Sequence, residues 1–344
     1  MNVFLTGGTG FIGQRLVAAL IRHGAQVTAL VRRPSSPDAL KIAALGATLV
    51  QGDVTAKESM RAAMQGMDVV IHNAGVYELG LNAAGIERMN AVNIQGTENT
   101  LSLAMELDVP RSIYCSTTYV YGASSATVAR DELYQPNTSS KTHYERTKKA
   151  AHRIALDLQK RGLPLTIICP NAAVGANDHS ILGYCLRMYL CHLMPPIAWT
   201  PEVMLSLIHV DDLCEGVVKA IEYAKSETYF MGGEAHTRAE MFEYWKPHIG
   251  GAKARAWLPV SLAKVIFAPL EPLQRAIGLP AIFSRELVEA GRISLYDSSQ
   301  KAKDDLNWTH RSAKAMWDDT IEEEKKLLAA RTKRDIVSLL NPIH

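Results

Sequence analysis

The sequence predicts an α/β protein: a doubly wound parallel sheet followed by a smaller, mainly helical C-terminal subdomain. Three observations carry this reading. Short apolar runs alternate with helical stretches over the first two-thirds of the 344 residues. The runs are continuously apolar, as in strands buried on both faces. The first of them leads directly into a glycine-rich turn. Such alternation builds parallel sheets with helices on either side.

Taken in order, Asn2–Thr6 is a short apolar strand and Gln14–His23 has helical spacing. Gln26–Val31 and Thr48–Gln51 read as the second and third strands. Val69–His72, Arg111–Ser116 and Leu165–Cys169 read as further buried strands. Helices are predicted around Lys57–Met64, Asn90–Leu107 and His143–Arg161. The pattern loosens after Gly175, which sets a boundary: a dinucleotide-binding domain over 1–175 and a mainly substrate-binding subdomain over 176–344. Ser206–His209 and Thr228–Met231 are expected to return to the sheet.

Composition narrows the class. Apolar residues make up 47% and charged residues 21%, with a net charge of +2. That balance fits a globular protein and gives no sign of a nucleic-acid surface. No apolar stretch approaches the roughly 20 residues of a transmembrane helix, and the opening run is too short and uncharged for a signal peptide. The five cysteines form no CxxC pair, so they read as reduced thiols of a cytoplasmic protein. No metal motif is present, and no metal is expected.

Gly7, Gly10 and Gly13 space G-x-x-G-x-x-G between strand and helix. Glycine supplies a positive φ without a Cβ clash, and the helix start offers free N–H groups and a positive dipole end to a pyrophosphate. An acid about twenty residues past the motif selects NAD. Here the second strand ends in Arg32 and Arg33. A guanidinium suits a 2′-phosphate, which favours NADPH over NADH. Asp53, in "GDV", either accepts from the adenine amino group or caps the next helix.

Tyr144 and Lys148 stand at i and i+4 on one helical face. A free phenol, with a pKa of about 10, is a poor base at neutral pH, and a neighbouring ammonium favours its ionised form. In reduction the same phenol donates a proton to the developing alkoxide. Ser116, Thr117 and Thr118 sit at a strand end, where hydroxyls can hold a carbonyl oxygen in line with Tyr144.

These pieces resemble a family. TGGTGFIG at 6–13, GDV at 52–54, HNAG at 72–75, NIQGT at 93–97, STTYVYG at 116–122, YERTK at 144–148, CPNAAVG at 169–175, HVDD at 209–212 and YDSSQKAKDDLNW at 296–308 are similar to the extended short-chain dehydrogenase/reductases of the NAD-dependent epimerase/dehydratase group. The basic end of the second strand is closest to the dihydroflavonol-reductase-like branch. The resemblance implies a Rossmann-type fold and roles residue by residue. Thr117 becomes the active-site hydroxyl, with Ser116 or Thr118 able to share the task. Tyr144 becomes the acid/base, and Lys148 the ribose-binding lysine that lowers its pKa. Cofactor contacts are implied for Thr6, Gly7, Gly10, Phe11, Ile12 and Gly13. They continue through Arg32, Asp53, Val54, Asn73, Ala74 and Gly75, with Ser116, Tyr144 and Lys148 beside the nicotinamide ribose. Asn93 matches a structural asparagine, and Pro170, Asn171 and Ala173 would supply contacts to the nicotinamide amide.

Two departures bear on substrate. The family usually writes Arg-Pro where this chain has Cys169-Pro170, and VYG where it has AVG. Arg187, the nearest basic residue beyond, lies in apolar "CLRMYLC", which weakens a sugar-nucleotide reading. An apolar pocket is expected from Val76, Thr118, Tyr184, Met188 and Trp199, with Tyr189, Leu193, Met194 and Ile197; ordinary core packing of these side chains is the equal alternative. The apolar stretch 262–283 carries prolines and the charges Lys264, Glu271 and Arg275, which favour a packed helical subdomain or partner surface over peripheral membrane contact. His72 and His209 are read as fold-supporting, Asp211 and Asp212 as caps of a helix from Leu213, and 322–334 as a solvated helix with a Glu322–Lys326 pair.

The function expected is NADPH-dependent reduction of a ketone or aldehyde on a small, largely apolar substrate, reversible as alcohol oxidation. A sugar-nucleotide epimerase or dehydratase and a non-catalytic NADP-sensing binding protein are the alternatives. A homodimer through helices of the sheet domain is the assembly the resemblance offers.

Overall fold

The computed structural model describes the chain except residues 79–80, 136–139, 141, 251–254, 271–273, 275–284, 333 and 342–344. The strands β1 (Asn2–Thr6), β2 (Gln26–Val31), β3 (Thr48–Gln51), β4 (Val69–His72), β5 (Arg111–Cys115), β6 (Leu165–Pro170) and β7 (Thr228–Met231) form one sheet. Its spatial order is β7-β6-β5-β4-β1-β2-β3, and every pairing is parallel. The chain therefore winds outward from β1 in both directions. The crevice at the carboxyl ends of β1 and β4 is the place where such sheets bind ligands.

Helices α1 (Phe11–Arg22), α2 (Pro37–Ala44), α3 (Glu58–Met64), α4 (Ala83–Asn90), α5 (Gly96–Glu106), α6 (His143–Lys160), α7 (Ile181–Leu190), α8 (Val210–Tyr223) and α9 (Arg238–Trp245) follow the strands in sequence. The two-residue period of a strand sends alternate side chains to opposite layers. Val3 and Leu5 pack with Leu16 and Leu20 of α1 and Val217 of α8. Phe4 packs on the other face with Leu101 of α5 and Ala151 and Leu158 of α6. A third cluster, around Val174, Leu207, Phe242, Trp245 and Trp317, belongs to the C-terminal region.

Several expectations are corrected. Ser206–His209 does not join the main sheet: Ile208–His209 pairs with Ala173–Val174 in a separate two-stranded ladder. The helix predicted over 90–107 is broken by a π-helical turn, Ala91–Gln95. Asp211 and Asp212 are not caps. His209 Nδ1 accepts from the Asp211 N–H at 3.2 Å, and Asp212 instead grips the Arg311 guanidinium, with contacts of 2.9–3.1 Å. Glu322 meets Lys325 at 3.2 Å rather than Lys326. The helix Ala313–Ala329 buries Met316, Trp317, Ile321 and Glu324, so it is packed rather than solvated on one side. In the stretch 262–283, residues 271–273 and 275–283 lie outside the described residues. Among the described residues no helix is long and apolar enough to cross a membrane.

Candidate active site

The first glycine turn is built for close approach. Gly7 has φ +74°, and a Cβ there would lie 2.6 Å from the Ala74 nitrogen. A Cβ on Gly13 would lie 2.0 Å from the Gly7 carbonyl oxygen. No side chain caps α1, whose N-cap is Gly10, so its first N–H groups remain available to an anion. The end of β4 is clamped onto this turn. Thr6 Oγ1 accepts from Ala74 N at 3.2 Å and meets His72 Nδ1 at 2.9 Å, while Asn73 Nδ2 donates to Gly7 O at 3.3 Å. Burial holds His72 neutral, its pKa lowered to about 3. Thr6 and Gly13 thus support the cradle from behind. Gly7, Gly10, Phe11, Ile12, Asn73, Ala74 and Gly75 line its surface.

At the other end of the cradle, Arg32, Asp53 and Val54 line the same cleft. The Arg32 side chain is exposed and makes no hydrogen bond or ion pair with the described residues. Asp53 neither caps a helix nor stands free. Its Oδ1 accepts from the Thr55 N–H at 2.9 Å and the Thr55 hydroxyl at 2.8 Å, closing the turn after β3. The glycines and the uncapped helix fit a dinucleotide, with the Arg32 guanidinium at the far end of the same cleft.

The hydroxyls after β5 separate by partner. Ser116 Oγ is engaged with His152 Nδ1 at 2.9 Å. Thr118 is buried, its Oγ1 without a partner among the described residues, and it does not line the cleft. Thr117 lines the cleft together with Tyr144, and its Oγ1 accepts from Tyr119 N at 3.3 Å. α6 delivers Tyr144 because Thr142 caps it, accepting from Glu145 N at 3.1 Å. One turn on, the Lys148 ammonium donates to the Cys115 carbonyl at 3.0 Å and sits 4.9 Å from the centroid of the Tyr114 ring. Burial pushes the Tyr144 pKa up, and the Lys148 charge and the nearby Thr117 hydroxyl oppose that rise. The phenol is accordingly held as an acid. Tyr77 and Tyr119 flank it edge-on, with centroids 4.7 and 6.3 Å away.

Asn93 lies in the π-helical turn and off the cleft wall. Its Oδ1 accepts from Val76 N at 2.7 Å, and its Nδ2 donates to Val76 O and to Thr147 Oγ1 at 3.0 Å each. It fixes the loop after β4 to the helix carrying Tyr144. Pro170, Asn171 and Ala173 line the cleft. The Asn171 side chain is spent on Asp297 Oδ2 at 2.7 Å and Leu295 O at 2.9 Å, while Asp297 also pairs with the buried Arg130.

The cleft has a volume of about 780 Å³. Val76, Met194, Ile197 and Trp199 line it as expected. Tyr184 and Met188 do not; they pack with Leu340 in a core cluster. Tyr189 packs against Phe242 and Trp245, and Leu193 is exposed. Arg187 is fully buried, donating to Leu340 O at 2.6 Å and Asp178 O at 2.9 Å, and takes no part in the cleft. The wall is completed by residues the sequence did not single out: Tyr119, Leu205, Leu207, Arg238, Met241 and Leu295. Tyr119 lies inside STTYVYG and could have been found there. The others come from segments with no motif. Among the described residues no cluster could hold a metal ion.

A family model described as "NAD dependent epimerase/dehydratase family" matches residues 3–232. A "4-hydroxy-2-methyl-3-oxo-4-farnesyl-3,4-dihydroquinoline-1-oxide ketoreductase" of Stigmatella aurantiaca is 28% identical over 281 residues, 80% of this chain and 82% of that protein. A "3-beta-hydroxysteroid dehydrogenase" of Mycolicibacterium neoaurum is 28% identical over 259 residues, 72% of this chain and 69% of its own length. Among solved structures, UDP-glucose-4-epimerase from Stenotrophomonas maltophila with bound NAD and formylated UDP-arabinopyranose superposes with a TM-score of 0.76 at 22% identity, covering 96% of this chain and 100% of that one.

Proposed function

This chain belongs to the NAD dependent epimerase/dehydratase family, an NAD(P)-dependent enzyme of the extended short-chain dehydrogenase/reductase type, and we propose that within it the protein is an NADPH-dependent carbonyl reductase acting on a largely apolar ketone or aldehyde. The observation that carries this is the half-buried phenol of Tyr144, which lines an apolar cleft together with Thr117 and lies in the field of Lys148 one helical turn away. Gly7, Gly10, the start of α1 and Arg32 would hold the cofactor, whose chemistry when bound is hydride delivery to a carbonyl carbon. Thr117 and Tyr144 hold the carbonyl oxygen between two hydroxyls, and the phenol proton passes to that oxygen as it becomes an alkoxide. Lys148 stabilises the phenolate left behind. The two apolar-substrate relatives named above support the substrate class. A sugar-nucleotide reading would need cations for a diphosphate, and Arg187 is committed to backbone carbonyls far from that task.

The test is loss of NADPH absorbance with a panel of aliphatic and cyclic ketones and aldehydes. Tyr144→Phe should lower turnover by roughly 10²–10⁴-fold; near-normal turnover would contradict the assignment. Arg32→Ala should weaken NADPH much more than NADH. Protein that retains nucleotide through purification and turns over UDP-sugars without added NADPH would favour an epimerase instead.

A further inference from the structure

At the substrate end of the cleft one cation stands among apolar walls. Arg238 is the first residue of α9 and lines the cleft with Met194, Leu205, Met241 and Phe242. Its Nη1 donates to the Trp199 carbonyl at 2.9 Å and to the Thr200 hydroxyl, which fixes the plane of the guanidinium. Nε and Nη2 make no hydrogen bond to the described residues, and neither is a fully buried atom. Among the described residues no carboxylate pairs with it. Glu202 acts only at a distance, and burial without a counter-charge lowers the pKa of this guanidinium to about 10.

The carboxylates that do line the cleft are engaged elsewhere. Asp53 closes the turn to Thr55, Glu78 pairs with Arg88 at 2.6 Å, and Asp178 binds Ser180 at 2.6 and 2.7 Å. A guanidinium at a helix start also opposes the helix dipole. A charge so placed is costly unless something supplies its partner. The two fully buried arginines among the described residues are held within the fold: Arg130 has Asp297 and Gly122 O, and Arg187 has Leu340 O and Asp178 O. Arg238 faces a cavity instead. Tyr119, whose ring centroid lies 6.3 Å from that of Tyr144, feels the Arg238 charge, and all three residues line the same cleft.

We propose that Arg238 is the binding residue for a carboxylate on the substrate, so that the substrate class is an oxo-acid: a ketone or aldehyde with an extended apolar body and an anionic end. The two free N–H edges match the two oxygens of a carboxylate, and the apolar walls take the hydrocarbon. A diphosphate, with more charge and no hydrocarbon at that point, finds one cation and a greasy surround. This inference rests on the reductase reading for its carbonyl, and the experiment separates the two.

NADPH oxidation is measured with matched pairs of medium-chain oxo-acids and their methyl esters, using wild type, Arg238→Gln and Arg238→Lys. The readout is the ratio of kcat/KM for acid over ester. A hydrogen bond to a charged group contributes about 1.5–3 kcal/mol, so wild type should prefer the acid by roughly 10–100-fold. That ratio should fall toward unity in Arg238→Gln and partly recover in Arg238→Lys. In parallel, binding of dodecanoate and of dodecanol is followed by calorimetry in the absence of NADPH, with circular dichroism verifying that each variant is folded. Dodecanoate binding that Arg238→Gln abolishes, in a protein that oxidises NADPH with no carbonyl, keeps the anchor and sinks the reductase. An active enzyme with an acid-to-ester ratio near unity in wild type, or one unmoved by Arg238→Gln, overturns the anchor and keeps the reductase. Failure to bind dodecanoate at all, or tighter binding of UDP-glucose than of dodecanoate, also overturns the anchor.

Discussion

Replacing Arg130 by Met should destabilise the protein far more than removing an ordinary surface charge. Arg130 is 1% exposed. Its Nε donates to Asp297 Oδ1 at 2.7 Å and its Nη1 to the Gly122 carbonyl. Asp297 is itself buried and accepts from Asn171 Nδ2 at 2.7 Å. Methionine fills much of the same volume, so the loss is electrostatic rather than a cavity. The variant leaves a buried carboxylate with one amide donor and a carbonyl with none. Breaking a buried pair this way costs about 3–5 kcal/mol. With an unfolding entropy of about 2.1 cal/mol/K per residue, a chain of 344 residues carries roughly 0.7 kcal/mol/K, so Tm should fall by about 4–7 °C. Scanning calorimetry measures that fall directly. Arg130→Met/Asp297→Leu should recover much of it, because an apolar pair replaces the orphaned charge. A single variant within about 1 °C of wild type, or a double variant no better than the single, would refute the reasoning that this pair holds the 122–130 loop and the 294–297 segment to the end of β6.

Acid should destabilise the fold before any carboxylate pair titrates. His72 and His152 are buried and neutral, with pKa values lowered to about 3 and about 4. Above the unfolded value of 6.5 they cost nothing; below it the unfolded state gains protons the folded state refuses, so stability falls as pH falls. At about 1.36 kcal/mol per pKa unit, each loses roughly 2 kcal/mol between pH 6.5 and 5. Asp178, raised to about 6 by burial, runs the other way and returns about 1 kcal/mol. Tm at pH 5 should therefore lie several degrees below that at pH 7.5, and equal values would count against the buried neutral histidines. The kcat/KM for reduction should hold through neutral pH and fall only in the alkaline range, since Tyr144 must carry its proton and burial raises its pKa; Lys148→Met should push that limb still higher, and an acidic limb in its place would assign the proton elsewhere. Gly13→Ala puts a Cβ 2.0 Å from the Gly7 oxygen, an overpacking of about 1–3 kcal/mol, and should weaken NADPH by roughly 10–100-fold in a fluorescence titration while leaving far-ultraviolet dichroism unchanged.

What the chain discloses in one dimension follows from how far apart the interacting residues lie. The central strands such as β4 and β6 are legible because a strand buried on both faces must be largely apolar, and that constraint is local. Tyr144 and Lys148 were legible because a helix fixes i and i+4 on one face whatever surrounds it. The same locality misled the reading of Tyr184 and Met188. They share an apolar helical stripe that can face a ligand or a neighbouring helix, and only packing against Leu340, more than 150 residues on, decides between them. Asp211 and Asp212 misled for a related reason. An acid at a helix start caps it only if nothing better is present, and His209 from the preceding strand was already in place. Arg238 left no local signal at all. It begins a helix with a capping box built from Thr237 and Glu240, and in sequence reads as a solvated first-turn residue. Its meaning is created by Trp199 and Thr200 holding it and by Leu205 and Phe242 drying its surroundings. An unpaired charge becomes informative only once its neighbours are known to be apolar, which is why the residue proposed to select the substrate is one the linear order conceals.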